Sequence, residues 1–307
     1  MALTTHTHKN LTWIDVVSPT TDDVDSLIFK YGIPSPVATE LLVNTRRSRS
    51  DVYDSCVYIV LHFPKTERAG NAKMLNEIDF IIMPDVLITT RYADDTALET
   101  FATYFTNDTQ HVSLSEVHDV GSLMHAMTEK LYQSFELDLE RIGKALESVE
   151  GKIFSGQEKK VVHSLSLLGR ELADFKKALG YHGEALEEVA VSSSGQTLLG
   201  EAFNRHIRSI IGDYRRIRHQ MEGEESFFEE LRQTNNSLLT IKQNEVIKTL
   251  TVMAFITFPL ALVAAVFGMN TSGAPFLGST YDFWIIIGIM LVIAVLMYVF
   301  FKHKRWV

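Results

Sequence analysis

Residues 249–267 read TLTVMAFITFPLALVAAVF, and residues 283–301 read FWIIIGIMLVIAVLMYVFF. Neither stretch contains a charged side chain, and each is close to the roughly 20 apolar residues that a helix needs to cross a bilayer. Pro259 is tolerated in such a helix when neighbouring helices satisfy the freed backbone groups. The alternative, two buried core helices, is disfavoured because core helices seldom stay uncharged for five turns. The pattern predicts two membrane-spanning helices.

The charges that flank the two stretches predict their orientation. Residues 271–282 contain no Lys or Arg, whereas the other ends carry Lys242, Lys248, Lys302, Lys304 and Arg305. Cytosolic segments are enriched in Lys and Arg, and Trp favours the headgroup region, where Trp284 and Trp306 are expected. We therefore expect a multi-pass protein of the plasma or inner membrane whose N- and C-termini are both cytosolic.

The rest of the chain is acidic. Residues 1–240 carry 24 basic and 36 acidic side chains, a net charge of −12. This balance argues against nucleic-acid binding and suits the attraction of cations. The lone cysteine, Cys56, excludes an internal disulfide framework. Residues 1–10 lack the apolar segment of a signal peptide, and their His6 and His8 are expected in a frayed terminus.

Short apolar runs alternate with turn residues from the N-terminus to about residue 108. They predict strands at 11–16, 55–63, 77–83 and 86–91 and helices at 27–31, 37–43 and 98–105. Strands mixed with helices indicate an α/β domain. We find no Gly-rich phosphate loop, nucleophile elbow or metal-spaced His/Cys cluster there, so the sequence does not predict an enzyme.

Long helices follow. The stripe of Leu123, Met127, Leu131, Phe135, Ile142, Leu146, Val149 and Ile153 recurs mostly every three or four residues, as in a helix packed along its length. From residue 198 to 267 the pattern predicts one helix of about 105 Å, or two shorter helices broken near Gly223. The predicted parts are a cytosolic α/β domain (1–113), a cytosolic helical region (114–197) and a stalk helix (198–245). They are followed by the first span (246–270), an external loop (271–282), the second span (283–301) and a basic tail (302–307).

Two spans cannot enclose a pore, so a conducting path would need a ring of subunits. One face of the first span recurs every three or four residues: Asn244, Ile247, Leu250, Thr251, Ala254, Phe258, Ala261 and Ala265. Apolar rings can gate by dewetting, and Asn amide oxygens offer dipoles without fixed charge. Because Mg²⁺ sheds its waters reluctantly, a neutral ring that reads the hydrated ion is suited to it.

The tripeptide Gly268-Met269-Asn270 closes the first span, and a basic tail with Trp follows the second. With Asn244-Glu245-Val246 and Pro259, this end of the chain resembles the CorA family of magnesium transporters. The detailed match covers about residues 240–307, and the N-terminal half agrees in architecture. The resemblance implies a homopentamer in the lipid bilayer, with Mg²⁺ as both substrate and regulatory ion and no organic cofactor.

The resemblance also implies roles for individual residues. Asn270 would form the outer ring that selects the hydrated ion, held by the turn at Gly268 and Met269. Asn244 would form a polar ring at the cytosolic mouth, and Ile247 with Leu250 the hydrophobic gate. Phe258 and Ala261 match pore positions where relatives often carry Met and Thr. Candidates for a regulatory metal site on the stalk are Asp213, Glu222, Glu224 and Glu225, although a solvated helical face explains them equally well.

The loop after the tripeptide departs from the magnesium pattern. Typical magnesium members carry acidic residues there, whereas this chain has none from 271 until Asp282. A Gly-Ala-Pro loop of this kind is similar to the zinc-transporting ZntB branch. We favour magnesium, with cobalt and nickel as surrogates, over zinc. A membrane-anchored sensor or interaction protein without transport is the other alternative, and ion flux in liposomes would distinguish it.

Overall fold

The structure is a computed structural model that describes residues 3–8, 11–64, 75–106, 117–269, 281–304 and 306. The chain divides into two compact units, residues 1–231 and 232–307. In its described part the elements in chain order are β1 Leu3–His8, β2 Leu11–Val17, α1 Thr21–Tyr31, α2 Ser35–Glu40, β3 Arg49–Val52, β4 Val57–Pro64, β5 Leu75–Ile82, β6 Val86–Arg91, α3 Thr96–Thr106, α4 Val120–Phe154, α5 Glu158–Leu179, α6 His182–Val191, α7 Ser193–Phe267 and α8 Asp282–His303.

The first unit is built on one six-stranded sheet, in the order β1-β2-β6-β5-β4-β3. Only β2 and β6 pair in parallel among the described strands. Along β2, Trp13 packs edge-on against the ring of Phe101 in α3, whereas Ile14 belongs to the core formed with α1 and α2. Both faces of the sheet are therefore covered, which explains why β4 reads as an almost continuous apolar run. β5 is equally buried but contains the polar residues Asn76, Glu77 and Asp79. The predicted α/β architecture is confirmed.

The two strands that sequence reasoning missed lie at the edges of this sheet. The frayed terminus expected for His6 and His8 is wrong: β1 pairs antiparallel with β2, and the ring of His6 stacks on Trp13 with centroids 4.6 Å apart. At the other edge, β3 pairs with β4. Edge strands need no continuous apolar run because one side lacks a partner strand, and polar residues there discourage edge-to-edge aggregation.

A chain of buried polar groups links the parallel pair β2 and β6. The indole Nε1 of Trp13 donates to Thr89 Oγ1 (2.8 Å), and Thr89 Oγ1 donates to Asp15 Oδ1 (2.8 Å). Arg91 Nε and Nη2 donate to Asp15 Oδ2 at 3.2 and 3.0 Å, with 6% and 8% of the two side chains exposed. Arg91 Nη1 also reaches Glu99 at 3.3 Å. The charges of Asp15 and Arg91 thus compensate each other away from water.

His182 at the start of α6 is fully buried and joins two other elements. Its Nε2 lies 2.8 Å from the backbone oxygen of His62 in β4, and its Nδ1 lies 3.0 Å from the hydroxyl of Tyr132 in α4. The backbone N–H of His62 also lies 3.2 Å from Nε2, but it has a nearer acceptor in Ser48 Oγ at 3.0 Å. Because the nearer carbonyl oxygen can only accept, Nε2 carries the proton and Nδ1 accepts from Tyr132. Burial lowers the pKa of His182 to about 3, since the charged imidazolium would lose its hydration.

This buried imidazole predicts a loss of stability in mild acid. The unfolded chain protonates His182 near its ordinary pKa of about 6.5, whereas the folded chain does so only near 3. Stability is therefore complete above about pH 6.5 and falls as the pH is lowered towards 3, by at most about 1.4 kcal/mol per pH unit. The free energy of unfolding, measured with denaturant on the full chain between pH 6.5 and 5, should fall more steeply with decreasing pH than that of His182→Gln. Equal slopes would contradict the assignment, whatever the absolute stability of the variant.

The long helices agree with the predicted stripe. All eight stripe residues of α4, from Leu123 to Ile153, are buried. α7 continues through Gly223, so the alternative of two helices broken there is wrong. The residue that does leave helical geometry is Gly200, with φ 81° and ψ 172°, where a glycine has no Cβ to strain. The predicted boundary between residues 113 and 114 lies outside the described residues.

Candidate ion pathway

Two helices of the second unit are long and apolar enough to cross a membrane. They are the C-terminal part of α7 and residues Phe283–His303 of α8. Within α7 the threonine hydroxyls are satisfied by the helix itself: Thr251 Oγ1 donates to the backbone oxygen of Ile247 (2.7 Å) and Thr257 Oγ1 to that of Met253 (2.9 Å). Pro259 lies within the continuous helix. The polar atoms of these threonines therefore need no water in the hydrocarbon region.

The predicted pore residues of α7 share one face. At about 100° per residue, five of them fall within roughly 60° of arc, and the other three flank this arc. Those five are Ile247, Ala254, Phe258, Ala261 and Ala265. Most of the face is exposed in the single chain, as shown by Ile247 (51%), Leu250 (60%) and Phe258 (72%). Exposure by itself does not single out this face, because lipid-facing positions are exposed too.

The packing of α8 distinguishes the faces more sharply. Val252 and Phe301 are each only 6% exposed, and the rings of Phe255 and Phe301 lie 6.0 Å apart. Val252 and Phe255 lie about 140° and 80° around α7 from the centre of the predicted pore face. α8 therefore packs beside most of that face. At the end nearest Lys248, however, Lys304 and Trp306 share a cavity with Asn244, Ile247 and Thr251 of the face.

The first span ends in a tight turn at Gly268. Its amide donates to the backbone oxygen of Ala264 (2.9 Å), and the amide of Met269 donates to Val266 (3.4 Å). A Cβ added to Gly268 would lie 2.9 Å from the oxygen of Ala264, which is closer than real Cβ atoms come to backbone. The turn thus requires glycine at this position. Asn270, predicted to select the ion, lies outside the described residues with the loop that follows it.

Three of the four candidate regulatory acids form ion pairs with separate partners. Asp213 Oδ1 lies 3.4 Å from Arg216 Nη2, and its Oδ2 lies 3.5 Å from His125 Nε2. Glu222 pairs with Arg218 at 2.9 Å and Glu225 with Lys176 at 2.7 Å. These pairs are at least partly exposed, so each contributes little to stability.

Glu224 differs from the other three. Burial, and then the nearby charge of Glu147, raise its pKa. Its carboxylate lies so near Gly143 in α4 that a Cβ there would meet Oε1 at 2.9 Å. The structure does not bring the four acids together. Across the described residues, no group of three or more His, Cys, Asp or Glu side chains is arranged to hold a metal ion.

A cavity of about 500 Å³ lies where the two spans meet the C-terminal tail. Its lining residues belong to the second unit: Asn244, Ile247, Lys248, Thr251, Lys304 and Trp306. Sequence reasoning used these lysines only for orientation and did not predict the cavity. The available signal was that Lys248 precedes the first uncharged stretch and Lys304 follows the second, so an antiparallel hairpin brings them to the same level.

A model of the family described as CorA-like Mg²⁺ transporter protein matches residues 8–303. The chain belongs to the CorA-like Mg²⁺ transporter family. CorA proteins are membrane transporters of metal ions and not enzymes, so the expected family and the expected absence of enzymatic activity are both confirmed. The match extends over nearly the whole chain, well beyond the C-terminal residues that carried the resemblance.

Known CorA proteins are similar along their length. The cobalt/magnesium transport protein CorA of Thermotoga maritima is 22% identical, covering 96% of this chain and 83% of that protein. The CorA magnesium transporter structure from Methanocaldococcus jannaschii has a TM-score of 0.81 and 19% identity, covering 98% of this chain and 93% of that chain. The structure of the ZntB cytoplasmic domain from Vibrio parahaemolyticus has a TM-score of 0.59 and 14% identity, covering 76% of this chain and 89% of that chain. The last two likenesses concern the fold.

Proposed function

We propose that this CorA protein forms a homopentameric channel that carries Mg²⁺ into the cytosol, with Co²⁺ and Ni²⁺ as surrogate ions. The observation that carries the proposal is the face of α7 that α8 leaves mostly uncovered, because it leads to the turn at Gly268 and Met269. Five such faces around one axis enclose a path. Asn270 forms its outer ring, Asn244 its cytosolic ring, and Ile247 with Leu250 its constriction.

The chemistry of these rings suits a hydrated divalent ion. Amide oxygens accept hydrogen bonds from the water shell of Mg²⁺, which the ion sheds reluctantly. Apolar rings at Ile247 and Leu250 close the path by excluding water when they narrow. With both termini cytosolic, an inside-negative potential of 100 mV contributes about 4.6 kcal/mol to the entry of each divalent ion.

The proposed regulatory Mg²⁺ would be bound by acidic side chains from more than one subunit. We place the regulatory Mg²⁺ between neighbouring soluble units, with Asp213, Glu222, Glu224 and Glu225 as the candidate ligands. Within one chain three of them already pair with Arg, His or Lys, and the described residues hold no preformed metal centre. A neighbouring copy would therefore have to supply further ligands, which makes metal binding sensitive to subunit arrangement.

Ion flux into liposomes tests the proposal. Purified protein is reconstituted with an entrapped magnesium-sensitive or zinc-sensitive dye, and each metal is added across a set potential. We expect the rate of Mg²⁺ entry to rise with an inside-negative potential. The rate should fall when Mg²⁺ is also present on the side of the membrane that carries the soluble unit, residues 1–231. Protein-free liposomes are the control. Absence of flux for both ions would contradict transport and leave a membrane-anchored sensor.

Zinc is the second candidate ion because no acidic residue lies between Asn270 and Asp282. A ring of carboxylates at the outer mouth would attract any divalent cation, and this chain lacks one in that loop. The fold likeness to the ZntB cytoplasmic domain is compatible with either branch. Zn²⁺ entry without Mg²⁺ entry in the same liposomes, especially if it followed a pH gradient, would assign the chain to zinc transport.

A further inference from the structure

The cavity at the base of the two spans has the composition of an anion site. Two of its six lining residues are lysines, Trp306 adds an indole N–H, and Asn244 adds an amide; none of the six is acidic. At about 500 Å³ it has the size of a small-molecule site. Most of its exposed lining surface is apolar, and its two lysine ammonium groups are the cations that can bind a negatively charged group such as phosphate. The cavity does not belong to the predicted pore face alone, since Lys248 and Lys304 lie outside that face.

The position of the cavity along the spans is equally informative. Lys248 is the last charged residue before the uncharged stretch that begins at Thr249, and Lys304 follows the end of α8 at His303. The ring of Trp306 lies 5.9 Å from that of Phe301, in the last turn of the second span. Trp and Lys at the ends of spans lie at the level of lipid headgroups. The cavity therefore lies at the depth where phospholipid phosphates are found.

We propose that this cavity binds the phosphate of an anionic phospholipid headgroup from the leaflet facing the soluble unit. Basic pockets between spans on the cytoplasmic side bind anionic headgroups, and each nearby Lys or Arg contributes about fivefold in affinity. A bound acyl chain would extend along the exposed apolar flank of α7 and α8, which a soluble phosphate cannot use. Because of this additional apolar contact, the site should bind a phospholipid more tightly than free phosphate.

The site also touches the predicted gate. Three of the four α7 residues that line the cavity, Asn244, Ile247 and Thr251, also belong to the predicted pore face, and Lys248 lies beside it. Headgroup binding would therefore favour one orientation of this part of α7. This coupling to conduction rests on the proposed function, whereas the lipid site itself does not.

A binding measurement on the purified full chain in neutral detergent tests the site. Fluorescently labelled phosphatidylglycerol is titrated and followed by anisotropy, with labelled phosphatidylcholine as the neutral lipid. We expect tighter binding of phosphatidylglycerol, weakened about fivefold by Lys304→Gln and similarly by Lys248→Gln. Lys302→Gln is the matched control, because Lys302 is an exposed cation of the same tail that does not line the cavity.

Each outcome decides the proposal. Equal weakening by Lys302→Gln and Lys304→Gln would indicate diffuse charge attraction and overturn the built site. Competition by inorganic phosphate or glycerol phosphate at concentrations similar to the lipid would show that the acyl chain adds nothing, which also overturns it. Binding that behaves as expected in a protein that conducts no ion would refute the proposed transport and leave the lipid site intact. Normal flux without selective binding would do the reverse.

Discussion

Asn270→Ala is expected to reduce Mg²⁺ influx into liposomes at least about tenfold. The variant Asn270→Ala removes the ring of amide oxygens that, under the proposed function, receives the hydrated ion at the outer mouth. A hydrogen bond to a charged group is worth about 1.5–3 kcal/mol, so its loss corresponds to roughly tenfold or more in occupancy. The measurement is the initial rate of entrapped-dye signal, normalised to the amount of reconstituted protein.

Thr249→Ala is the matched control for this loss. Thr249 lies on roughly the opposite side of the helix from the predicted pore face. Its hydroxyl already donates to the backbone oxygen of Glu245 at 2.9 Å. The variant therefore removes a polar side chain from the same helix without touching the path, and its flux should match that of the unaltered protein. Asn270→Ala conducting at the unaltered rate would exclude an essential ring at position 270.

Asp15→Ala is expected to destabilise the first unit by about 3–5 kcal/mol. The change leaves the guanidinium of Arg91 buried without its carboxylate and also removes the acceptor of the Thr89 hydroxyl. Breaking one partner of a buried ion pair costs this much because the remaining charge is uncompensated. For a unit of this size the thermal midpoint should fall by roughly 6–20 °C. Intrinsic fluorescence of the full chain in detergent follows the transition, with Trp13 reporting from within the network.

Glu99→Ala tests the exposed end of the same network. The side chain of Glu99 is 52% exposed and lies 3.3 Å from Arg91. An exposed ion pair contributes less than about 1 kcal/mol, so the midpoint should shift by only a few degrees. If Glu99→Ala and Asp15→Ala lowered the midpoint equally, burial of the pair would not be the source of the stabilisation.

The spans and the long helices could be predicted from the sequence because their signals are local. An uncharged stretch of the right length has few other folded uses, and the stripe of α4 repeats at the helical period for more than thirty residues. The same locality predicted β4, β5 and β6 to within two residues, since each is a short segment rich in β-branched or aromatic residues and bounded by turn residues. The pore face of α7 was derived from residue spacing alone and stays a prediction.

What sequence reasoning missed depends on partners far apart in the chain. β1 and β3 are polar edge strands whose identity comes from the strands they pair with. The protonation of His182 follows from groups at positions 62 and 132, which no local pattern joins to it. The cavity beside Lys248 and Lys304 exists only because two antiparallel helices end together. Such features require the tertiary structure, because each local segment looks ordinary without it.

The hydrogen bonds of His182 have a consequence for the order of events during synthesis. The sheet cannot complete its covering until residue 182 has left the ribosome, because the imidazole closes a connection to His62 across 120 positions. Long-range pairings of this kind fold slowly, in milliseconds to seconds. The core of the first unit also includes buried residues of α7 as far as Leu231, and residues 232–248 then precede the first uncharged stretch, which corresponds to roughly 1–3 s of translation. The first unit therefore has about the time that such folding takes before synthesis of the first span begins.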